Sequence, residues 1–233
     1  MVLVSHKHQL IFLKTRKTAG TSVEMLLEAV TGLGPDLASE SRHAEVSDVG
    51  LVGFRMLPRD AMTDLDRTWQ PHTPARKLRK HLGADIWDRY LKVACVRNPF
   101  DRVISHFHWS RDFAPEGERE ETQEAFAQFV RSDWNDDRKV VMIGEAFAPD
   151  MVIRYEHLSE DLTRLSDRTG LTLNPSALPK TKVRRHRRLG EIADYFTEDL
   201  IQIVRTRLAW MFNAGGYAKS PTKPSSTIRE ATG

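Results

Sequence analysis

The sequence has only one cysteine, Cys95, among its 233 residues. A single cysteine excludes an intrachain disulfide and a cysteine-rich metal site. Long apolar runs are also missing, because no stretch approaches the ~18 apolar residues of a membrane-spanning helix. The first residues lack the small-residue cleavage site of a signal peptide. We therefore expect a cytoplasmic protein with no integral membrane segment.

A strong charge of one sign is absent as well. The net charge is +3 and the isoelectric point is near 9.0, which is too weak to indicate a nucleic-acid partner. The charge is unevenly distributed, since residues 180–188 (KTKVRRHRR) are basic and residues 111–124 are mainly acidic. The basic segment favours either an anionic ligand or a solvated surface, and it lacks the interleaved aromatic residues that stack on bases.

The sequence contains no Gly-Lys pair, and therefore no GxxxxGK[ST] loop for a magnesium–nucleotide complex. This absence disfavours an ATPase or GTPase that depends on Mg²⁺. His6 and His8 have the spacing of a metal pair on a strand, but no third ligand is evident, so we expect no metal.

Apolar runs and helical periodicity alternate along the chain, which predicts an α/β protein with a mostly parallel sheet. We expect a single domain over residues 1–217 and a flexible tail, rich in Lys, Ser, Pro and Thr, over residues 218–233. The predicted strands are 9–15, 51–57, 91–96 and 151–155. The predicted helices are 23–30, 75–81, one capped by Asp101, 125–130, 158–165 and 197–212.

Polar residues of unusual type follow the first strand. The segment Arg16-Lys17-Thr18-Ala19-Gly20-Thr21-Ser22 leads directly into a helix. A helix N-terminus offers free N–H groups and positive potential, so this turn is a candidate anion site with Lys17 beside it. The alternative is an ordinary strand–helix loop with capping threonines and a solvent-exposed lysine.

A second group of polar residues follows the strand 91–96. Arg97 lies at the strand end, and Ser105 lies about one turn into the next helix. A guanidinium and a hydroxyl in these positions can converge on one phosphate. Alternatively, Arg97 pairs with Asp101 and Ser105 only packs.

Together the two segments resemble the PAPS-dependent sulfotransferases (PAPS is 3′-phosphoadenosine 5′-phosphosulfate), in particular the heparan-sulfate-like and bacterial branch, sulfotransferase family 2. K-T-A-G-T-S is similar to the loop that binds the 5′-phosphosulfate, and V-R-N-P-F-D-R-V-I-S-H-F to the motif that binds the 3′-phosphate. The resemblance implies a P-loop, nucleoside triphosphate hydrolase-like three-layer fold with a central, mostly parallel sheet. It also implies PAPS as donor, PAP as product and no required metal.

The resemblance assigns roles to individual residues. Lys17 would contact the bridging oxygen of the donor, and the following residues of the turn, Thr18, Ala19, Gly20, Thr21 and Ser22, would hold the 5′-phosphate. Arg97 and Ser105 would hold the 3′-phosphate. Arg16 replaces a proline that often precedes the lysine in this family, and we count it with the donor-binding residues. The candidates for closing over the nucleotide are Lys182, Arg184 and Arg185.

Transfer to a hydroxyl requires a group that accepts its proton, and His or Glu suits this task near neutral pH. In the resembling family a histidine commonly lies some two dozen residues before the 3′-phosphate arginine, which here indicates His72. The alternative is a loop histidine that caps the next helix. Other candidates are His106, His108 and Glu24.

The acceptor and the oligomeric state are not readable from the sequence. By resemblance we expect a hydroxyl of a carbohydrate, a glycolipid or a small metabolite. Two other classes remain open: a nucleoside or sugar kinase on a related fold, and a non-catalytic module that binds polyanions or nucleic acid through residues 180–188.

Overall fold

The computed structural model describes residues 2–33, 41–179, 181 and 190–221. These residues form two compact units. The first consists of the described parts of Met1–Arg97 and Asp137–Arg184, and the second of the described parts of Asn98–Asp136 and Arg185–Gly233. The number of domains and the tail at 218–233 stay predictions, and residues 222–233 lie outside the described part.

The first unit contains a six-stranded mixed sheet. Its strands, in spatial order, are β3 (Glu45–Ser47), β4 (Gly50–Val52), β1 (Val2–Ser5), β2 (Leu10–Leu13), β5 (Leu91–Val96) and β8 (Met151–Arg154). The pairings β2–β5 and β5–β8 are parallel, and the three pairings among β3, β4, β1 and β2 are antiparallel. The parallel half is the part that the sequence pattern predicted, with β5 at the predicted bounds.

The antiparallel half was not predicted. Residues 2–5 form a hairpin strand with β2, although the sequence analysis recognised only the apolar run that begins at Leu10. The hairpin turn at residues 6–9 contains neither Gly nor Pro, and Gln9 adopts a φ of 47° that glycine usually supplies. The predicted strand 51–57 is shorter than expected and ends at Val52.

Side chains on one face of the sheet pack against α1 (Gly20–Thr31) and α8 (Leu158–Thr169). Successive strand residues point to opposite faces, so every second residue of β2, β5 and β8 reaches this core. The shared cluster contains Leu10, Phe12, Val93, Cys95, Met151 and Ile153 from the strands, and Val23, Leu26, Leu27, Leu162 and Leu165 from the helices. Burial of this cluster fixes the carboxyl ends of the three parallel strands, where the candidate site lies.

Shorter elements complete the first unit. They are the helices α2 (Asp64–Thr68), α3 (Ala75–Leu82), α4 (Ala84–Arg89) and α7 (Arg138–Val141), and the hairpin strands β6 (Met142–Ile143) and β7 (Ala146–Phe147). The helix predicted at 75–81 is present as α3 and ends before Gly83 as expected.

The second unit is helical and has an aromatic core. It comprises α5 (Pro99–Asp112), α6 (Gln123–Arg131), α9 (Glu198–Arg207) and α10 (Ala209–Gly215). Phe100, Phe107, Phe126, Tyr195 and Phe196 meet edge to face, with ring centroids 5.0–5.3 Å apart in the pairs formed by Phe126 and in the pair Phe100–Phe196. Within the described residues, no helix of either unit is long and apolar enough to cross a membrane.

Two predictions for the second unit need correction. The cap of α5 is Asn98 and not Asp101, because the Asn98 side chain accepts hydrogen bonds from the backbone N–H groups of residues 100 and 101. The single helix expected over 197–212 is two helices that meet at Leu208. Apolar residues continue through this bend without Gly or Pro, so the sequence pattern carries no sign of it.

Candidate active site

The loop between β2 and α1 has the backbone of an anion cradle. Lys17 and Ala19 have φ values of 64° and 61°, and Ala19 is the N-cap residue of α1, where no side chain accepts a capping hydrogen bond. Gly20 is the first helical residue, and a Cβ placed there would lie 2.9 Å from the Lys14 Cγ and 3.1 Å from the Thr15 carbonyl oxygen. Only glycine fits this close approach. The first turn of a twelve-residue helix therefore presents backbone N–H groups at the carboxyl end of a parallel strand.

Hydrogen bonds hold this loop against the neighbouring strand β5. The Thr15 hydroxyl donates to the Cys95 carbonyl over 2.5 Å, and the Thr15 and Thr18 hydroxyls are 2.8 Å apart. The Arg97 guanidinium, just beyond β5, donates to the Lys17 carbonyl over 3.1 Å. The two predicted segments, the loop and the end of β5, are thus joined directly.

Arg16 is restrained by an aspartate that the sequence analysis did not identify. Its backbone N–H donates to the Asp137 carboxylate over 2.7 Å, and its guanidinium forms an ion pair with the same carboxylate. Asp137 is buried and has a φ of 61°. A proline at position 16, as in the resembling family, would have no N–H to donate. In this chain the hydrogen bond from Arg16 to Asp137 restrains the loop instead of a proline ring.

Tyr155 is the second residue that the sequence analysis missed. It directly follows β8, and its ring centroid lies 4.1 Å from the Arg97 guanidinium carbon, a cation–π contact. The signal that could have found it is its place after the third parallel strand, since the carboxyl ends of parallel strands meet at one edge of a sheet. Arg97 is therefore held between the Lys17 carbonyl and an aromatic face.

His72 has the tautomer of a proton acceptor. Its Nδ1 is 2.8 Å from the Lys14 carbonyl oxygen, and because a carbonyl only accepts, Nδ1 carries the hydrogen and Nε2 keeps its lone pair. Burial lowers the pKa of His72 well below its usual value, and the positive charges of the N-terminus, Arg16 and Lys14 lower it further. His72 is therefore neutral at pH 7, as a general base must be.

The alternative bases occupy structural positions. Glu24 is fully buried on α1, with its carboxylate 2.8 Å from the Lys14 ammonium. His106 packs against the rings of Phe129 and Trp134 in the second unit. His108 lies 3.0 Å from the Tyr195 hydroxyl and 2.9 Å from Glu121. Of the three histidine candidates, His72 is the one that contacts the loop.

The remaining predicted site residues lie in the first turn of α1, on α5 or outside the described residues. Thr21 and Ser22 are buried in the first turn of α1, and the Ser22 hydroxyl is 3.0 Å from that of Thr181. Ser105 lies half-buried on α5 in the second unit, and its role stays a prediction. Lys182, Arg184 and Arg185 lie outside the described residues. Among residues 2–33, 41–179, 181 and 190–221, no three His, Cys, Asp or Glu side chains are grouped as metal ligands.

The fold is α/β, and the loop that is a candidate anion cradle lies at the carboxyl ends of the parallel strands, the usual ligand position in open α/β sheets. A family model described as the sulfotransferase family matches residues 1–213. The chain therefore belongs to the sulfotransferase family, and it is a transferase of sulfuryl groups. Neither a curated protein nor a solved structure matches it significantly.

Proposed function

We propose that this sulfotransferase uses PAPS as its donor, on a P-loop-like fold, and transfers the sulfuryl group to a hydroxyl of a carbohydrate, a glycolipid or a small metabolite. The observation that carries the proposal is the hydrogen bond between Arg97 and the Lys17 carbonyl. This hydrogen bond joins the loop before α1 to the Arg97 guanidinium. PAPS carries phosphate groups at the 3′ and 5′ positions of its ribose, so it offers one phosphate to each of these groups.

The donor would bind across these two groups. The N–H groups at the start of α1 would hold the 5′-phosphate, aided by the hydroxyls of Thr21 and Ser22. The Arg97 guanidinium would hold the 3′-phosphate. Arg16 would act mainly through the loop backbone, since Asp137 already engages its guanidinium.

The transfer itself would be an in-line displacement at sulfur. The acceptor oxygen forms the new S–O bond while its proton passes to Nε2 of His72. The bond between sulfur and the bridging oxygen breaks, and PAP leaves with the added negative charge. The Lys17 ammonium and the helix N-terminus would stabilise this charge, which is the kind of preorganised electrostatic stabilisation that lowers transition-state energies.

A ligand-dependent thermal shift tests the donor. A ligand that binds only the native state raises apparent stability, so PAP without Mg²⁺ should raise the melting temperature, and AMP, which lacks the 3′-phosphate, should raise it less. Lys17→Ala should keep PAP binding within about tenfold but lower PAPS turnover by about 10²-fold or more. Lys7→Ala, in the exposed turn before β2, is the matched control and should change neither.

Other results would favour other functions. Absence of a shift at millimolar PAP, with folded protein, would overturn the proposal. Stabilisation by Mg·ATP above that by PAP would favour a kinase. Sequence-independent DNA binding with a steep salt dependence, and no PAP binding, would favour a polyanion-binding module.

A further inference from the structure

Lys14 is a buried cation directly beneath the anion cradle. Its side chain is 8% exposed, and its ammonium lies 2.8 Å from a carboxylate oxygen of Glu24, which is fully buried. Its Cγ lies next to Gly20, only 2.9 Å from the position that a Cβ of a larger residue would occupy there. The desolvation of two buried charges offsets most of their attraction, so this ion pair is weak evidence of a contribution to stability.

The backbone of the same residue contacts the candidate base. The Lys14 carbonyl accepts the hydrogen bond from Nδ1 of His72. Lys14 therefore touches the cradle through its stem, α1 through its ammonium and His72 through its carbonyl. Its position sets the position of the imidazole relative to the cradle.

The pair belongs to a larger buried network. Arg55 lies 3.6 Å from the same Glu24 oxygen and donates to Glu28 over 2.6 and 3.0 Å, and Arg42 adds a further contact to Glu28 at 3.1 Å. Three cations face two buried carboxylates, and Glu24 is the carboxylate that contacts Lys14.

We propose that the Lys14–Glu24 ion pair is a positioning element for His72, in which Lys14 fixes the tautomer of the imidazole and Glu24 sets how strongly the Lys14 charge repels a proton from Nε2. This inference rests on the proposed role of His72 as base. The charged groups that act on His72 are the N-terminus of the chain, Arg16 and Lys14, and the last two belong to the loop. Their carboxylate partners are Glu24 on α1 and Asp137 before α7.

The two members of the pair should change the proton affinity of His72 in opposite directions. Lys14→Met removes a positive charge that disfavours the protonated imidazolium, so it should raise the pKa of His72. Removing the negative charge of Glu24 leaves Lys14 unscreened, so Glu24→Gln should lower it. The double variant Lys14→Met/Glu24→Gln removes both charges and should give an intermediate value. A purely structural role would not reverse sign between the two variants.

The test is an NMR titration of labelled histidine in the full chain, with the His72 resonance assigned by its loss in His72→Gln. We expect the His72 pKa in Lys14→Met to exceed that in Glu24→Gln by about one unit or more. The acid limb of the pH profile of slow PAPS hydrolysis should move in the same order. Asp150→Asn is the control, because it neutralises one member of the Lys92–Asp150 pair near the start of β5 and should leave His72 unchanged.

The outcomes separate this inference from the proposed function. Equal His72 pKa values in the two single variants, or shifts in the same direction, would overturn the inference even if PAP binds well. If Lys14→Met does not fold, the comparison of Glu24→Gln with the double variant decides, since the double variant must have the higher pKa. Absence of PAP binding by the wild type would overturn the donor proposal while leaving the titration result valid.

Discussion

Lys17, Ala19, His72 and Asp137 share a backbone conformation that residues with side chains seldom adopt. They are four of the six non-glycine residues with positive φ in the described part of the chain. Two lie in the cradle loop, and the other two hydrogen-bond to it, through Lys14 and Arg16. Strained conformations of this type cost roughly 1–3 kcal/mol each and persist where surrounding structure fixes them, typically at functional sites.

A first prediction concerns Arg16 and its buried partner. Arg16→Pro should destabilise the protein by about 2 kcal/mol, because it removes two hydrogen bonds from a buried carboxylate. Urea unfolding measures the loss. The double variant Arg16→Pro/Asp137→Ala should regain part of this stability. A double variant less stable than Arg16→Pro would contradict the role given to Asp137.

The lowered pKa of His72 predicts a dependence of stability on pH. The unfolded chain binds a proton at this residue below about pH 6.5, whereas the native imidazole stays neutral to lower pH. Native stability is therefore present above pH 6.5 and is lost as the pH falls, by at most about 1.4 kcal/mol per unit. Urea unfolding between pH 5 and 7.5 should show a smaller loss for His72→Gln. Identical slopes for both proteins would contradict a neutral native histidine.

At the scale of elements, the sequence predicted the parts that have strong local signals. The predicted bounds of β5 and of the helix that ends before Gly83 agree closely with the structure. The turn before α1 and Arg97 were predicted as site residues from their residue types. The resemblance, and not a local signal, indicated His72. The hairpin strand β1 was missed because Val2, Leu3 and Val4 are too few to show a period, and its turn lacks glycine.

Contacts between distant segments account for the rest of what was missed. Asp137 lies 121 residues from Arg16, and no pattern near position 137 indicates that contact. Glu24 and Glu28 look like surface carboxylates in an amphipathic helix, yet both are buried because Lys14, Arg55 and Arg42 approach them from other elements. Pairing between remote charges is a property of the folded topology, which local periodicity does not encode.

The loop packs closely against the first residue of α1, and a substitution at Gly20 tests this packing. Gly20→Ala should lower PAP affinity by about tenfold or more, since the new methyl group would displace the Thr15 carbonyl or the Lys14 stem. Isothermal titration with PAP measures the change. Gly117→Ala is the matched control, because a Cβ there meets no atom within 4 Å. Equal affinities for the two variants would contradict the close packing of the turn.

For the whole molecule, the only cysteine reports on opening of the sheet. Cys95 is fully buried in β5, and burial raises the pKa of its thiol above the usual range. A thiol reagent at pH 8 should therefore react only when the native structure opens, with a rate that rises in urea. PAP should slow the reaction further through stabilisation of the native state. Rapid labelling of the folded protein would contradict the burial of β5 between β2 and β8.

The two ties between the loop and β5, one from Thr15 and one from Arg97, have a thermodynamic consequence. Under the proposed function, the nucleotide would bind a loop that is already ordered. The conformational entropy of that loop is lost during folding, so it would not lower the binding affinity. Calorimetry should accordingly register little penalty from chain ordering when PAP associates. Thr15→Val removes the hydrogen bond to the Cys95 carbonyl, so part of the entropy cost of ordering the loop should then appear in the binding of PAP.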